Sequence, residues 1–277
     1  MSTVLINESG VSGSLASGSP RVITVFSPRG GVGKSTIAVN TAVGLARLAP
    51  LEVVLVDADM QFGDVAALLD LTPAHTLPDM VADAPAADAL VLKTLLTAHP
   101  GGYYVVCGAA SPVDGDRVTG DELAHLIDQL TDVFRFVVVD TSPGLGEHAL
   151  AMIEKATDAV AVCVLSVPSL RALRTELGVL DGLGITPALG HVVLNLVEKK
   201  IGLSRADAEA ILGRDVDIVI PRSRTVALCT NRGVPVVDES PRSSSARALN
   251  ALVERCARAV TAGPPRSAQM NTRKAGQ

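Results

Sequence analysis

The segment Ser27-Pro-Arg-Gly-Gly-Val-Gly-Lys-Ser-Thr36 has residue types and an order suited to one task, the holding of a phosphate chain. Its glycines let the backbone fold tightly and turn successive N–H groups toward an anion. A helix beginning just after it adds partial positive charge at the same point. Lys34 is placed to reach the β- and γ-phosphates of a nucleotide, and the Ser35 hydroxyl to coordinate Mg2+. Gly30, Gly31, Val32, Gly33 and Thr36 complete the predicted nucleotide contacts. The general pattern Gly-x-x-x-x-Gly-Lys-Ser/Thr is not met in full. Its first glycine position is Pro28, and Arg29-Gly30-Gly31 stands in its place.

Two further segments carry carboxylates where they could serve such a loop. One is Val56-Asp57-Ala58-Asp59-Met60-Gln61-Phe62-Gly63-Asp64, at the end of an apolar run. The other is Phe136-Val-Val-Val-Asp140, followed by Thr141-Ser-Pro-Gly-Leu145. Carboxylates at the carboxyl ends of parallel strands lie where open α/β sheets bind ligands. A phosphoanhydride hydrolase needs one oxygen group near the metal shell and another to orient the attacking water. Asp140 suits the first role, reaching Mg2+ through water. The segment Thr141–Gly144, including Thr141, Pro143 and Gly144, then forms a second switch that senses the γ-phosphate. Asp64 is expected to cap a helix over 65–69.

The elements that must position these residues follow from hydrophobic periodicity. Runs at 22–26, 53–56, 103–106, 136–139, 160–164, 191–194 and 217–220 are mostly apolar on consecutive residues. That is the signature of strands buried on both faces of a parallel sheet. Helices are predicted over 35–48, 86–98, 121–134, 147–157, 169–182, 204–212 and 243–260. The last sets Leu249, Leu252, Val253, Cys256 and Val260 on one stripe. Strand and helix alternation at this spacing predicts one α/β domain over 21–261, a doubly wound and mostly parallel sheet with helices on both faces. Residues 1–20, with six Ser and three Gly, read as a flexible lead, and 262–277 as a disordered tail.

Composition bounds the function. Aromatic residues are 2% of the 277, with no Trp, so a protein that stacks single-stranded bases on aromatic rings is disfavoured. The net charge of −5 argues against nucleic-acid binding through overall charge. The longest apolar run, 159–165, is seven residues, too short to span a bilayer. No Lys or Arg falls in the first twenty residues, so no secretory signal is read there. Cys107, Cys163, Cys229 and Cys256 are scattered without Cys-x-x-Cys spacing, which suits buried thiols in a reducing cytoplasm.

The Arg29-Gly30-Gly31-Val32-Gly33-Lys34-Ser35 loop resembles the deviant phosphate loop of the MinD/ParA family of ATPases, Lys-Gly-Gly-x-Gly-Lys-Ser/Thr. The similarity runs from about residue 21 to 260. It implies an ATP-dependent homodimer and a slow, dimer- or partner-stimulated ATPase. Arg29 stands at the family's extra Lys, which reaches the partner protomer's phosphates. The resemblance assigns Asp57 to the metal side, with Ser35 and Asp140, and Asp59 to water positioning, so that Lys34, Asp59 and Arg29 form the catalytic set. It places Asn195 against the exocyclic amine of adenine and Pro221 and Arg222 in the loop on the base. The strand before Asn195 continues Leu196-Val197-Glu198 and lacks the Asn-Lys-x-Asp of guanine-binding relatives, which favours ATP over GTP.

The segments Asp59–Pro73, Pro168–Arg171, Asn231–Pro235 and Pro241–Leu249 resemble the CpaE/TadZ branch. That branch implies positioning of a Flp/Tad-type pilus or secretion machinery at the inner membrane or a cell pole. Its usual N-terminal receiver-like domain has no counterpart in residues 1–20. A division-site MinD would carry a C-terminal amphipathic anchor, whereas 261–277 hold no aromatic, Leu or Ile. A DNA-partitioning ParA would need a basic surface, to which Arg205, Arg214, Arg222, Arg224, Arg232 and Arg242 could contribute. A nucleotide-dependent scaffold with negligible hydrolysis is the alternative of another class.

Overall fold

The computed structural model describes residues 19–83, 89–187, 189–198 and 202–258. The flexible lead through residue 18 and the expected tail therefore lie outside the described residues. The strands are β1 (Arg21–Phe26), β2 (Val53–Ala58), β3 (Thr97–His99), β4 (Tyr103–Val106), β5 (Phe136–Thr141), β6 (Asp158–Val164), β7 (Leu189–Val197) and β8 (Ile218–Pro221). They form one sheet in the order β3-β4-β2-β5-β1-β6-β7-β8. Every pairing is parallel except β3 with β4. Strands β1, β2 and β5 are buried at each of their six positions. Burial on both faces is what their unbroken Val and Ile runs require.

The helices are α1 (Lys34–Leu48), α2 (Val65–Leu68), α3 (Leu77–Asp83), α4 (Ala89–Leu95), α5 (Pro112–Gly115), α6 (Gly120–Val133), α7 (Glu147–Glu154), α8 (Val167–Leu183), α9 (Arg205–Leu212), α10 (Arg224–Asn231), α11 (Val236–Glu239) and α12 (Ser244–Ala257). One sheet face packs on α1 and α12, where Ala42, Leu45, Leu249 and Val253 meet Ile23, Val25 and Val160. The other carries α3, α4 and α6 over β2, β4 and β5. On that same side α8 and α9 lie over β6 and β7. The expected doubly wound, mostly parallel sheet is thus the observed one.

Helix starts follow local chemistry. Thr119 and Glu122 form a reciprocal capping box on α6, as Ser204 and Asp207 do on α9. Two expectations need correction. A helix over 86–98 stops at Leu95, and Thr97–His99 becomes the antiparallel edge strand β3. The cause is the His99-Pro-Gly-Gly-Tyr103 turn: Gly102 has φ 79° and its N–H donates to the His99 carbonyl at 3.0 Å. Asp64 stands at the start of α2, yet its side chain makes no cap bond. Its φ of −109° and ψ of −7° are near-helical, not the extended backbone a capping carboxylate needs.

At the N-terminal end of the sheet, away from the phosphate loop, Arg21 and Asp158 form a buried ion pair. Arg21 also donates to the Arg258 carbonyl just beyond α12, and Thr157 Oγ1 donates to Asp158 at 2.7 Å. His191 Nε2 and Cys256 lie close by, but the Asp158 oxygens are already engaged by these donors. The cluster anchors the end of α12 to the sheet. All four cysteines are free and buried. Among the described residues, no helix is long and apolar enough to cross a membrane.

Candidate functional site

Strand β1 ends at Phe26 and the loop 27–33 turns into α1. Gly31 has φ 71° and Gly33 φ 90°, the left-handed region that glycine adopts without strain. Gly33 is the N-cap of α1 and no side chain caps that end. The first N–H groups of α1 are therefore presented toward the loop, as an anion site requires. Val32 is buried in the core, which leaves its backbone to shape the turn.

Asn195, at the carboxyl end of β7, grips this loop from the side. Its Nδ2 donates to the Val32 carbonyl at 2.8 Å. A Cβ on Gly33 would lie 2.3 Å from the same nitrogen. Its Oδ1 accepts no hydrogen bond among the described residues, so an acceptor remains for a base amine. Asn195, Pro221 and Ser223 line a cavity of about 50 Å3 above Thr36, closed by Ile37, Ile220 and Leu249. Arg222 turns elsewhere: its guanidinium pairs with Glu198 at 2.6 Å on the surface.

The carboxylates meet through sheet register. Parallel pairing of β2 with β5 sets Asp57 beside Asp140 and Ala58 beside Thr141. Both aspartates are buried. Asp57 Oδ1 accepts the Asp59 N–H at 3.2 Å and Oδ2 the Val65 N–H at 3.1 Å. The helix start expected of Asp64 is thus held by Asp57. Gly63 and Gly108 crowd it, since a Cβ would lie 2.5 and 3.0 Å from Oδ2. Burial, and then the neighbouring Asp140 charge, hold the Asp57 carboxyl well above the ordinary range.

Asp140 differs from Asp57 in being left open. Its Oδ1 is buried with no hydrogen-bond partner among the described residues. Burial pushes its pKa up to about 7, against the opposing pull of a Ser35 hydrogen bond and the Lys34 charge. An orphaned carboxylate oxygen beside a serine hydroxyl and across from a second carboxylate is a donor set that fits a hard divalent cation such as Mg2+.

Above these lies a cavity of about 680 Å3, lined by Gly30, Lys34, Ser35, Asp59, Ser142 and Pro143 among others. Asp59 Oδ1 accepts the N–H groups of Gln61 and Phe62, each at 3.2 Å. In the second switch, strand alternation turns neighbouring side chains to opposite sides. Thr141 turns inward, donating to the Val25 carbonyl at 3.0 Å, and Gly144 N–H donates to the Ser27 carbonyl at 2.9 Å. Ser142, one residue on, faces the cavity instead. Arg29 is exposed and has no ion-pair partner among the described residues. Phe62 is 74% exposed on the cavity rim.

The sequence places Ser142 inside the 141–144 switch without giving it a role of its own, and does not single out Glu176. Ser142 was recognisable by its place two residues beyond Asp140, on the same strand face. Glu176 interrupts the apolar face of α8 between Leu173 and Leu177, and both its oxygens are buried without partners. Burial raises its pKa to about 7, and Lys34 pulls the other way.

Comparison with known proteins agrees with this fold. The ParA family model, described as NUBPL iron-transfer P-loop NTPase, matches residues 19–94. The septum site-determining protein MinD of Synechocystis sp. is 26% identical over 240 residues, 85% of this chain and 88% of that protein. A ParA family ATPase from Chlorobium tepidum superposes with a TM-score of 0.80 at 20% identity, over 84% of this chain and 98% of the other. MinD of Pyrococcus horikoshii complexed with Mg-ADP gives 0.75 at 22% identity, over 85% and 95%. In fold, the chain is similar to P-loop NTPases of the ParA/MinD type, and in sequence it is similar to MinD proteins.

Proposed function

We propose that the chain binds ATP with Mg2+ at residues 30–36 and hydrolyses it slowly as a homodimeric switch. The observation that carries this reading is the orphaned Asp140 oxygen beside Ser35, beneath a loop whose N–H groups are uncapped. Ser35 and Asp140 would hold the metal, with Asp57 adding charge beside them and fixing the loop to Val65. Bound Mg2+ would neutralise phosphate charge as it develops on the leaving group. Lys34 and the loop N–H groups hold the phosphates, and Asp59 orients the attacking water. The amide oxygen of Asn195 and the Pro221 loop receive adenine. Exposed and unpaired, Arg29 is available to a second protomer's phosphates, as an arginine finger is.

The role we favour is positioning or assembly of a Flp/Tad-type pilus or secretion machinery, with recruitment from the cytoplasm to the inner membrane through partners. It rests on the CpaE/TadZ-like segments of the sequence; septum-site and partition roles fit the relatives equally well. For a DNA-binding role, four of the six candidate arginines are already paired: Arg205 with Glu209, Arg214 with Asp181, Arg222 with Glu198 and Arg232 with Glu239.

Local N–H groups on Asp59 Oδ1 support a second reading, a nucleotide-dependent scaffold with negligible turnover. Phosphate release by the parent and by Asp59→Ala separates the two. Turnover in the parent that Asp59→Ala loses supports the switch; equal, near-zero release in both supports the scaffold.

A further inference from the structure

Asp59 and Ser142 each stand one residue beyond the last paired rung of β2 and β5, Ala58 with Thr141. The register that joins Asp57 to Asp140 therefore also brings these two side chains together, one level nearer the cavity. Ser142 Oγ lies 3.3 Å from Asp59 Oδ1 and 3.5 Å from the Ala58 carbonyl, so the carboxylate oxygen is its nearer acceptor. With the Gln61 and Phe62 N–H groups, three donors converge on that single oxygen. Oδ2 accepts no hydrogen bond among the described residues. Both residues line the cavity that also holds Lys34 and Ser35.

We propose that Ser142 is a positioning residue for hydrolysis: its hydroxyl fixes the rotation of the Asp59 carboxylate so that Oδ2 faces the attacking water. The inference rests on the hydrolytic reading and adds to it the side chain that couples the two switch loops. In the reaction it serves, the water oxygen bonds to the γ-phosphorus as the bond to the bridging oxygen breaks. ADP and orthophosphate form, and the released proton passes to solvent. Asp59 accepts a hydrogen bond from that water through Oδ2 while Ser142 holds Oδ1.

A purely structural role for the hydroxyl is disfavoured, because the loop has other anchors. Thr141 Oγ1 donates to the Val25 carbonyl at 3.0 Å and Gly144 N–H to that of Ser27 at 2.9 Å. Removing one cavity-facing hydroxyl leaves these in place.

The test is steady-state phosphate release from ATP and Mg2+ by the full chain, Ser142→Ala, Ser142→Thr, Asp59→Ala and the double variant Ser142→Ala/Asp59→Ala. Ser142→Ala is expected to lower kcat roughly ten-fold at unchanged KM and unchanged thermal midpoint. Ser142→Thr restores most of it, and the double variant is no slower than Asp59→Ala. Parent-like kcat in Ser142→Ala overturns the proposal. So does a Ser142→Ala loss of equal size in the Asp59→Ala background, since the hydroxyl then does not act through Asp59. If Asp59→Ala alone keeps parental turnover, the hydrolytic reading itself falls, an outcome distinct from either.

Discussion

Asp57 and Asp140 are register partners on adjacent parallel strands, so two buried carboxylates stand side by side beneath the phosphate loop. Only one is spent on the fold: Asp57 accepts two backbone N–H groups, whereas Asp140 keeps an oxygen without a partner. The pair is unfavourable without a cation, and the protein retains it at the site where a nucleotide's metal would lie.

This arrangement makes the nucleotide-free protein pH-sensitive in a specific direction. Asp140 titrates at about 7 in the fold, against an ordinary 3.8, and Asp57 shifts the same way. The folded state thus holds protons that the unfolded chain has lost, so stability falls as pH rises between those two values. The thermal midpoint is expected to be higher at about pH 6 than at about pH 8, and Asp140→Asn to flatten the difference. A midpoint rising with pH across that window contradicts the assignment.

Asn195 ties nucleotide affinity to loop shape. Asn195→Ala removes the donor to the Val32 carbonyl. The expected costs are about 1–3 kcal/mol of stability and a measurable loss of ATP affinity by calorimetry. Gly33→Ala is expected to abolish binding, because a Cβ there meets Asn195 at 2.3 Å and φ is 90°.

Arg21→Leu probes the opposite end of the sheet. It leaves Asp158 buried without its guanidinium partner, and denaturant titration should show a loss of about 3–5 kcal/mol. ATP affinity should be unchanged, since the pair stands at the far ends of the strands from the phosphate loop. A variant of parental stability contradicts the anchoring role.

Arg29→Ala should bind ATP as the parent does and lose the part of turnover that rises with protein concentration. Arg29→Lys should keep most of it. Equal dependence on concentration in Arg29→Ala and the parent excludes a role across a dimer.

Much of this was legible in the residue order. Strands buried on both faces announce themselves as unbroken Val and Ile runs, and Gly33-Lys34-Ser35 after such a run specifies the loop. What escaped the sequence was decided by side-chain direction and by long-range contact. Thr141 and Ser142 look alike in the chain, and strand alternation turns one toward Val25 and the other toward the cavity. Which aspartate starts α2 depended on Asp57 reaching Val65 eight residues on, where local capping logic favoured Asp64. The edge strand β3 was hidden because Thr97–His99 is too short to show a period; only the Pro-Gly-Gly turn marks it.

The scarcity of aromatic side chains agrees with this architecture. Phe26, Phe134, Phe136 and Tyr103 are buried, while Phe62 stands out in solvent beside Asp59. Phe62→Ala should leave stability within about 0.5 kcal/mol. It should weaken the ATP-dependent association of protomers or of a partner, measured by sedimentation; association unchanged in both would make Phe62 incidental.

The central claim, a nucleotide-driven dimer, is tested most directly by the light-scattering mass of Asp59→Ala with saturating ATP and Mg2+. With hydrolysis blocked, the mass should be twice the 28.5 kDa of the chain and fall to one chain on exchange into ADP. A mass that stays at one chain under saturating ATP and Mg2+ would contradict it.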